Sequence, residues 1–371
     1  MAERRTPFYD IHVRLGAQMI KGGGDYMFPV SYTTPAEEHI NTRSNVGMQD
    51  LSTMGKVDVK GPGAEALTNR LLVNDVRNMA IGQVIYSTMC REDGGVLDDI
   101  TVYKFSDEHF LIITGSGNRM KVLKWITEQS KGEKAYITDI TAALALPVIQ
   151  GPRSRDYLKS VVKDADLDNL KYFWFTRGRI GETEMLISKT GFTGELGYEL
   201  YIPAEEAATV WETIMETGRN FGLKPYGVVA MRTLALEKGY VVYGGDVNEN
   251  LTPFHAGLDK WIKFDKGEFF GREALLRVKE KGVTERLTGL IIEGEKAASL
   301  KDPVFLGDKE VGYVTYSNKG HTLGAMLALA YIKIPYTKQG TEMSVRIGGV
   351  STPARISITP FFDPKGARLH S

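Results

Sequence analysis

The residues best equipped for chemistry begin with Gly94-Gly95-Val96-Leu97-Asp98-Asp99-Ile100-Thr101-Val102-Tyr103. The glycine pair marks a turn, and the residues after it read as a strand. Alternation along a strand puts Asp99, Thr101 and Tyr103 on one face and Asp98, Ile100 and Val102 on the other. A carboxylate, a hydroxyl and a phenol in one row would line a polar site, with Asp99 able to hold or move a proton. Two acids beside a Gly-Gly pair also suit a turn with no chemical role. The segment by itself leaves both readings open.

A second candidate is Lys189-Thr190-Gly191-Phe192-Thr193-Gly194-Glu195-Leu196-Gly197-Tyr198-Glu199-Leu200. Its glycines permit close backbone approach. Glu199 lies in an otherwise apolar strand with Tyr198, Leu200, Tyr201 and Ile202. It either faces solvent or, if buried, needs a partner. The spacing is neither that of a phosphate-cradling loop nor that of a dinucleotide fingerprint. A third segment, 234–252, carries DVNEN, but EF-hand spacing, its glycine and its terminal Glu are missing.

The remaining chemistry is limited. One cysteine, Cys90, excludes an intramolecular disulfide and a thiolate-clustered metal site, and reads as a small buried hydrophobe. No two of the six histidines lie within five residues of each other, so no helical two-His motif exists and no metal is expected. With 46 basic and 46 acidic residues, net charge gives no reason to expect nucleic acid or a membrane surface. The N-terminal MAERRTPFYD lacks a signal-peptide core, and the longest apolar stretches fall short of the ~20 residues a bilayer requires. The expected location is cytoplasmic.

Short strands dominate the elements that must carry these residues. Lys56–Lys60 (KVDVK) alternates like a half-buried strand. Segments 99–105 and 109–114 form a hairpin, and 185–189 and 198–202 flank the Gly-rich stretch. Helices are expected over 119–129, 204–219 and 272–281. In the second, Ala207, Val210, Trp211 and Ile214 make one buried face. Forty glycines in 371 residues exceed the ~7% average, as a turn-rich β protein would. Without regular βα alternation the class is α+β. A boundary at about 281–285 leaves a C-terminal all-β domain that closes as a barrel or covers its edges against a neighbour.

In order along the chain, these segments resemble one family. Arg5-Thr6-Pro7, Met27-Phe28-Pro29 with Tyr32, Glu38-His39 and Arg43 are followed by Val46-Gly47-Met48, Asp50-Leu51-Ser52, Asn74-Asp75 and Ile85-Tyr86-Ser87. GGVLDD, Gln150-Gly151-Pro152, TGFTGELGYEL, LEKGY, YGGD, the 270–275 segment FGREAL and Pro360-Phe361 complete the series. The chain is identified as a member of the aminomethyltransferase family, the glycine-cleavage T-protein and its relatives. LEKGY and PFFDP also resemble the folate domains of sarcosine and dimethylglycine dehydrogenases.

The resemblance implies a three-domain α+β fold around a central hole that takes tetrahydrofolate. A folate-binding catalytic region would span about 1–280. Within it, a discontinuous first domain at about 1–54 and 138–280 would enclose a second at about 55–137. A C-terminal barrel would occupy 285–371. Asp99 matches the catalytic carboxylate. Met54, Tyr86, Thr101 and Tyr103 match positions lining the pterin and its linker, and Glu199 matches the acid that pairs with the pterin N–H groups. Phe192 stands where the family has Tyr. The family's folate-contacting Arg falls on Met231, with Arg232 beside it, its active-site Asn on Gly115 and its His on Thr53. Its Trp before the FxGxEAL segment falls on Lys260, beside Trp261.

The folate half is therefore better retained than the donor half. The expected function is transfer of a methyl or methylene group from a small methylated or aminomethyl donor to tetrahydrofolate, the cosubstrate. The alternative is the T-protein reaction, with H-protein-bound aminomethyl-lipoate as donor and an H-protein-like carrier as partner. A second alternative is a folate-binding protein without catalysis, against which the retained Asp99 argues.

Overall fold

The computed structural model describes residues 3–370. The chain packs as two compact units. The first takes the chain up to Ser87, Ile100–Met231 and the segment from Ala367 onward; the second takes Thr88–Asp99 and Arg232–Gly366.

The first unit is organised by an eight-stranded sheet. Its neighbours run Val162–Lys163, Phe175–Ile180, Thr183–Ser188, Gly197–Pro203, Pro147–Gln150, Val46–Asp50 and Leu223–Pro225, and Leu144–Ala145 also pairs with Gly197–Pro203. Leu223–Pro225 runs parallel to Val46–Asp50. Both sheet faces are covered, which is why its central strands are apolar on both sides. One face packs under Phe8, Tyr157 and Trp211, with Tyr198, Leu200 and Ile202 beneath them. The helix Ala207–Thr217 buries Ala207, Val210, Trp211 and Ile214, as the spacing predicts. The expected helix is shorter than 204–219: residues Ala204–Glu206 and Gly218–Phe221 are 3-10 turns, and Gly222 closes the end at φ +69°.

The opposite face carries Leu146, Val148 and Tyr201 against Tyr103, Leu111 and Ile113. The last three belong to a five-stranded sheet ordered Val84–Cys90, Val96–Ser106, His109–Thr114, Gly55–Lys60 and Tyr136–Asp139. The expected hairpin is present, with Thr101 opposite Ile113 and Tyr103 opposite Leu111. Helix Arg119–Gln129 has the expected bounds. Each fully buried aliphatic in such layers contributes ~1.5–3 kcal/mol.

Register decides what the site can contain. Gln49 lies opposite Val148, Val148 opposite Glu199, and Glu199 opposite Ser188. These residues form one row across the sheet. Alternation sends Tyr198 and Leu200 into the helical layer and Glu199 and Tyr201 to the other face.

In the second unit, Glu285–Ile292, Ala325–Lys333, Lys309–Gly320, Pro303–Leu306, Glu342–Ile347 and Val350–Ser357 close a six-stranded barrel. Leu290, Val304, Val314, Ala328, Ala330, Ile332, Val345 and Ile356 fill it. Closure removes the free edges that a small sheet would expose. Helix Arg272–Lys281 precedes the barrel with the expected bounds. Cys90 is fully buried, and burial pushes its thiol up to about 12, so it is held as an inert hydrophobe. Among the described residues no helix is long and apolar enough to cross a membrane, and no cluster of His, Cys, Asp and Glu could hold a metal ion.

Candidate active site

Strand Gly197–Pro203 presents Glu199, half-buried, to the inter-sheet face. Its Oε2 accepts the Tyr103 hydroxyl at 3.1 Å and the Tyr201 hydroxyl at 2.9 Å. The two phenols lie 2.8 Å apart, with rings edge to face. The Ser188 and Thr190 hydroxyls pair at 2.9 Å. Burial raises the Glu199 pKa, against the phenol hydrogen bonds that favour the anion. Burial and the neighbouring Glu199 charge raise both tyrosines, so they stay protonated donors. With Oε2 holding two phenols, Oε1 is the oxygen with capacity to spare.

The Gly-rich segment before this strand is held from below. A Cβ on Gly191 would lie 2.1 Å from the Gln150 Oε1, and one on Gly197 would lie 2.3 Å from the Gln150 amide. Both glycines therefore let the chain close around that side chain. Thr193 donates its hydroxyl to Gln150 Oε1 at 2.8 Å. The fully buried carboxylate of Glu195 receives Arg43 Nη1 at 2.8 Å and Arg368 Nε at 2.8 Å. Phe192, within this segment, is half-buried.

Residues 50–54 form a second support. Asp50 Oδ2 lies 3.1 Å from His12 Nε2, and His12 Nδ1 lies 2.8 Å from the Tyr32 hydroxyl. Asp50 Oδ1 accepts the Ser52 amide at 2.8 Å. Burial alone would raise Asp50, but His12, Ser52 and Thr6 together hold the carboxyl below its ordinary value. Lys56 donates Nζ to the carbonyls of Ser52 at 3.0 Å and Met54 at 2.9 Å. Burial lowers it to about 7. Thr53 Oγ1 pairs with Ser116 Oγ at 2.7 Å, and half-buried Met54 packs on the cluster containing Tyr103 and Tyr201.

Strand Val96–Ser106 keeps the expected alternation: Asp98 is fully buried, while Asp99 and Thr101 are half-buried. Both acids lie within the strand rather than in a turn. Tyr86 is half-buried in Val84–Cys90, and its carbonyl accepts Asn74 Nδ2 at 2.9 Å. In the second unit Arg232 stacks on Tyr316 with its guanidinium 4.1 Å from the ring centre and pairs with buried Asp246 at 3.5 Å.

The first unit thus brings Met54, Tyr103 and Glu199 to one cluster. Tyr201 was findable by the period of two from Glu199. Lys56 and Arg368 carry no signal of their own in the sequence.

The GCVT N-terminal domain matches residues 8–266, and the Glycine cleavage T-protein C-terminal barrel domain matches residues 285–363. The Aminomethyltransferase of Moorella thermoacetica is 39% identical over 359 residues, covering 97% of this chain and 98% of that protein. The Aminomethyltransferase of Halothermothrix orenii is 36% identical over 358 residues, covering 96% and 99%. The crystal structure of glycine cleavage system aminomethyltransferase T from Bartonella henselae has the same fold. Its TM-score is 0.91 at 23% identity, covering 98% of this chain and 99% of that one. On these matches along nearly all of its length, the chain belongs to the aminomethyltransferase family.

Proposed function

We propose that this protein is a tetrahydrofolate-dependent one-carbon transferase of the aminomethyltransferase type. The observation that carries the reading is Glu199, a half-buried carboxylate with two phenols on one oxygen and capacity left on the other. An acceptor set in an aromatic surround fits the N–H edge of a reduced pterin. Half-buried Phe192 and Met54 offer the apolar surfaces that a flat ring system needs. Glu199 would bind and orient the pterin, with Tyr86, Thr101 and Tyr103 lining the ring and its linker. When bound, tetrahydrofolate supplies the nitrogen that accepts the carbon. Asp99 would hold the donor in line and take up the proton released there.

Relatives named Aminomethyltransferase support an aminomethyl group as the cargo. A carrier of the H-protein kind would then be the partner. Thr53 supports a second reading, a small methylated amine. A hydroxyl bonded to Ser116 at 2.7 Å stands where the resemblance expects an imidazole.

Calorimetry with tetrahydrofolate tests binding. A donor comparison with mass spectrometry of the folate product tests transfer. The donors are aminomethyl-loaded H-protein and N-methylglycine. Methylene-folate formed from the H-protein donor is the expected result. Methyl-folate formed only from the small amine would replace it with the second reading, and absence of tetrahydrofolate binding would overturn both.

A further inference from the structure

Lys56 sits on strand Gly55–Lys60 with no exposed surface. Its amide donates to Thr141 Oγ1 at 2.9 Å, and its carbonyl accepts the Ile140 amide at 2.9 Å, so the backbone is fixed. Its Nζ has two acceptors, the carbonyls of Ser52 and Met54. A neutral amine has two N–H groups and one lone pair, and those two carbonyls use both donors. An ammonium would bring a third N–H into the same buried space.

The charged groups facing Lys56 come from four elements. Asp50 ends strand Val46–Asp50 and is engaged by His12 and the Ser52 amide. Asp139 ends strand Tyr136–Asp139 and accepts the Thr141 amide and hydroxyl through Oδ1. Arg119, at the start of helix Arg119–Gln129, adds a like charge. Glu199 is held by its two phenols. Among the described residues no carboxylate lies within hydrogen-bond distance of Nζ, so a third N–H would have no acceptor.

We infer that Lys56 is a positioning residue of the folate site: as a neutral amine it ties together the two ends of the 52–54 turn, and taking up a proton loosens that turn. The turn carries Met54 and Thr53, so the state of Lys56 reaches the surface against which the pterin would pack. The lowering of Lys56 to about 7 by burial agrees with this coordination. The inference rests on the folate reading of Met54 and adds to it a proton-controlled support.

The test measures the tetrahydrofolate Kd between about pH 6 and pH 8.5 for the wild type and Lys56→Met. One coupled proton changes Kd by up to about tenfold per pH unit. In the wild type, affinity falls as pH drops through about 7. In Lys56→Met it is weaker at pH 8 and shows no such inflection. A variant that keeps the wild-type inflection, or a wild type that binds with a flat profile, overturns the inference. A purely structural role would lower affinity and leave the profile unmoved. The second measurement needs neither folate nor the variant: a 13C titration of the Lys56 side chain in the wild type, followed with the Thr53 and Met54 amides. Co-titration near pH 7 supports the inference even if tetrahydrofolate fails to bind, in which case only the functional reading falls. Titration of Lys56 near its ordinary value of 10.5, or amides that do not follow it, overturns it.

Discussion

Arg368, in the short helix Ala367–His370, approaches both carboxylate oxygens of Glu195 at 2.8 Å, while Arg43 takes Oε1 from within the fold at 2.8 Å. Glu195 is fully buried, and burial raises its pKa against the pull of both arginines. Two partners let that charge remain inside, because a buried carboxylate left unpaired is strongly destabilising. Arg368→Ala is expected to lower stability by about 1–2 kcal/mol in urea unfolding, since Arg43 remains and Arg368 is 34% exposed. Unchanged unfolding would show that Arg43 alone suffices.

Asp99→Asn should lower kcat by ~10²–10⁴-fold and leave the tetrahydrofolate Kd within about twofold. Asp98 is fully buried on the other strand face, so Asp98→Asn should lower the melting temperature and leave turnover in the surviving fold close to wild type. Steady-state kinetics on both variants, with thermal melts, separate the roles. Asp98 essential and Asp99 dispensable would reverse the assignment.

Glu199→Gln keeps an acceptor for the two phenols but turns an amide N–H₂ toward the ligand side. A donor would then meet the pterin's donors, and the mismatch should weaken tetrahydrofolate by ~1–3 kcal/mol, roughly tenfold to a hundredfold in Kd. Calorimetry reads this directly. Equal affinities for the two proteins would place the pterin elsewhere.

Gly191→Ala forces a methyl into the Gln150 amide, 2.1 Å away. Overpacking of this kind typically destabilises by ~1–3 kcal/mol. Gln150→Ala combined with Gly191→Ala should recover part of that loss in a double-mutant cycle. Additive losses would show that the two side chains do not compete for space.

The Lys56 amine gives stability a defined pH slope. Its folded pKa is depressed from 10.5 to about 7, so the unfolded chain binds the extra proton between those values. Stability therefore rises with pH across that window, and below about pH 7 the penalty is at its full size. At ~1.4 kcal/mol per unit the penalty is roughly 4–5 kcal/mol. Lys56→Met should remove that slope between about pH 7 and 10.5, although it forfeits hydrogen bonds to two carbonyls at every pH. Urea midpoints compared across the window check it, and parallel slopes in the two proteins would count against a depressed Lys56.

Local periodicity made the strands and helices legible. The alternation of Asp99, Thr101 and Tyr103 and the spacing of Ala207, Val210, Trp211 and Ile214 both follow from geometry within one element. That the C-terminal strands must hide their edges was legible too, by closure or by packing on a neighbour, and the resemblance pointed to the barrel. Lys56 was not. In KVDVK it reads as a wet-face residue, and Lys60 in the same run is exposed. What separates them is layering: the flanking strands and the 50–54 turn cover one and leave the other open. Tyr103 was visible as a candidate site residue, but its bond to Glu199 joins positions 96 residues apart, which no local pattern encodes. The same holds for Arg368 and Glu195, 173 residues apart.

The Gln150 side chain occupies the space that two separate Cβ atoms would claim, those of Gly191 and Gly197. The three positions are therefore one unit of volume. A larger residue at 191 or 197 is accommodated at lower cost when residue 150 is short, and a methyl at either glycine raises the cost of a long side chain at 150.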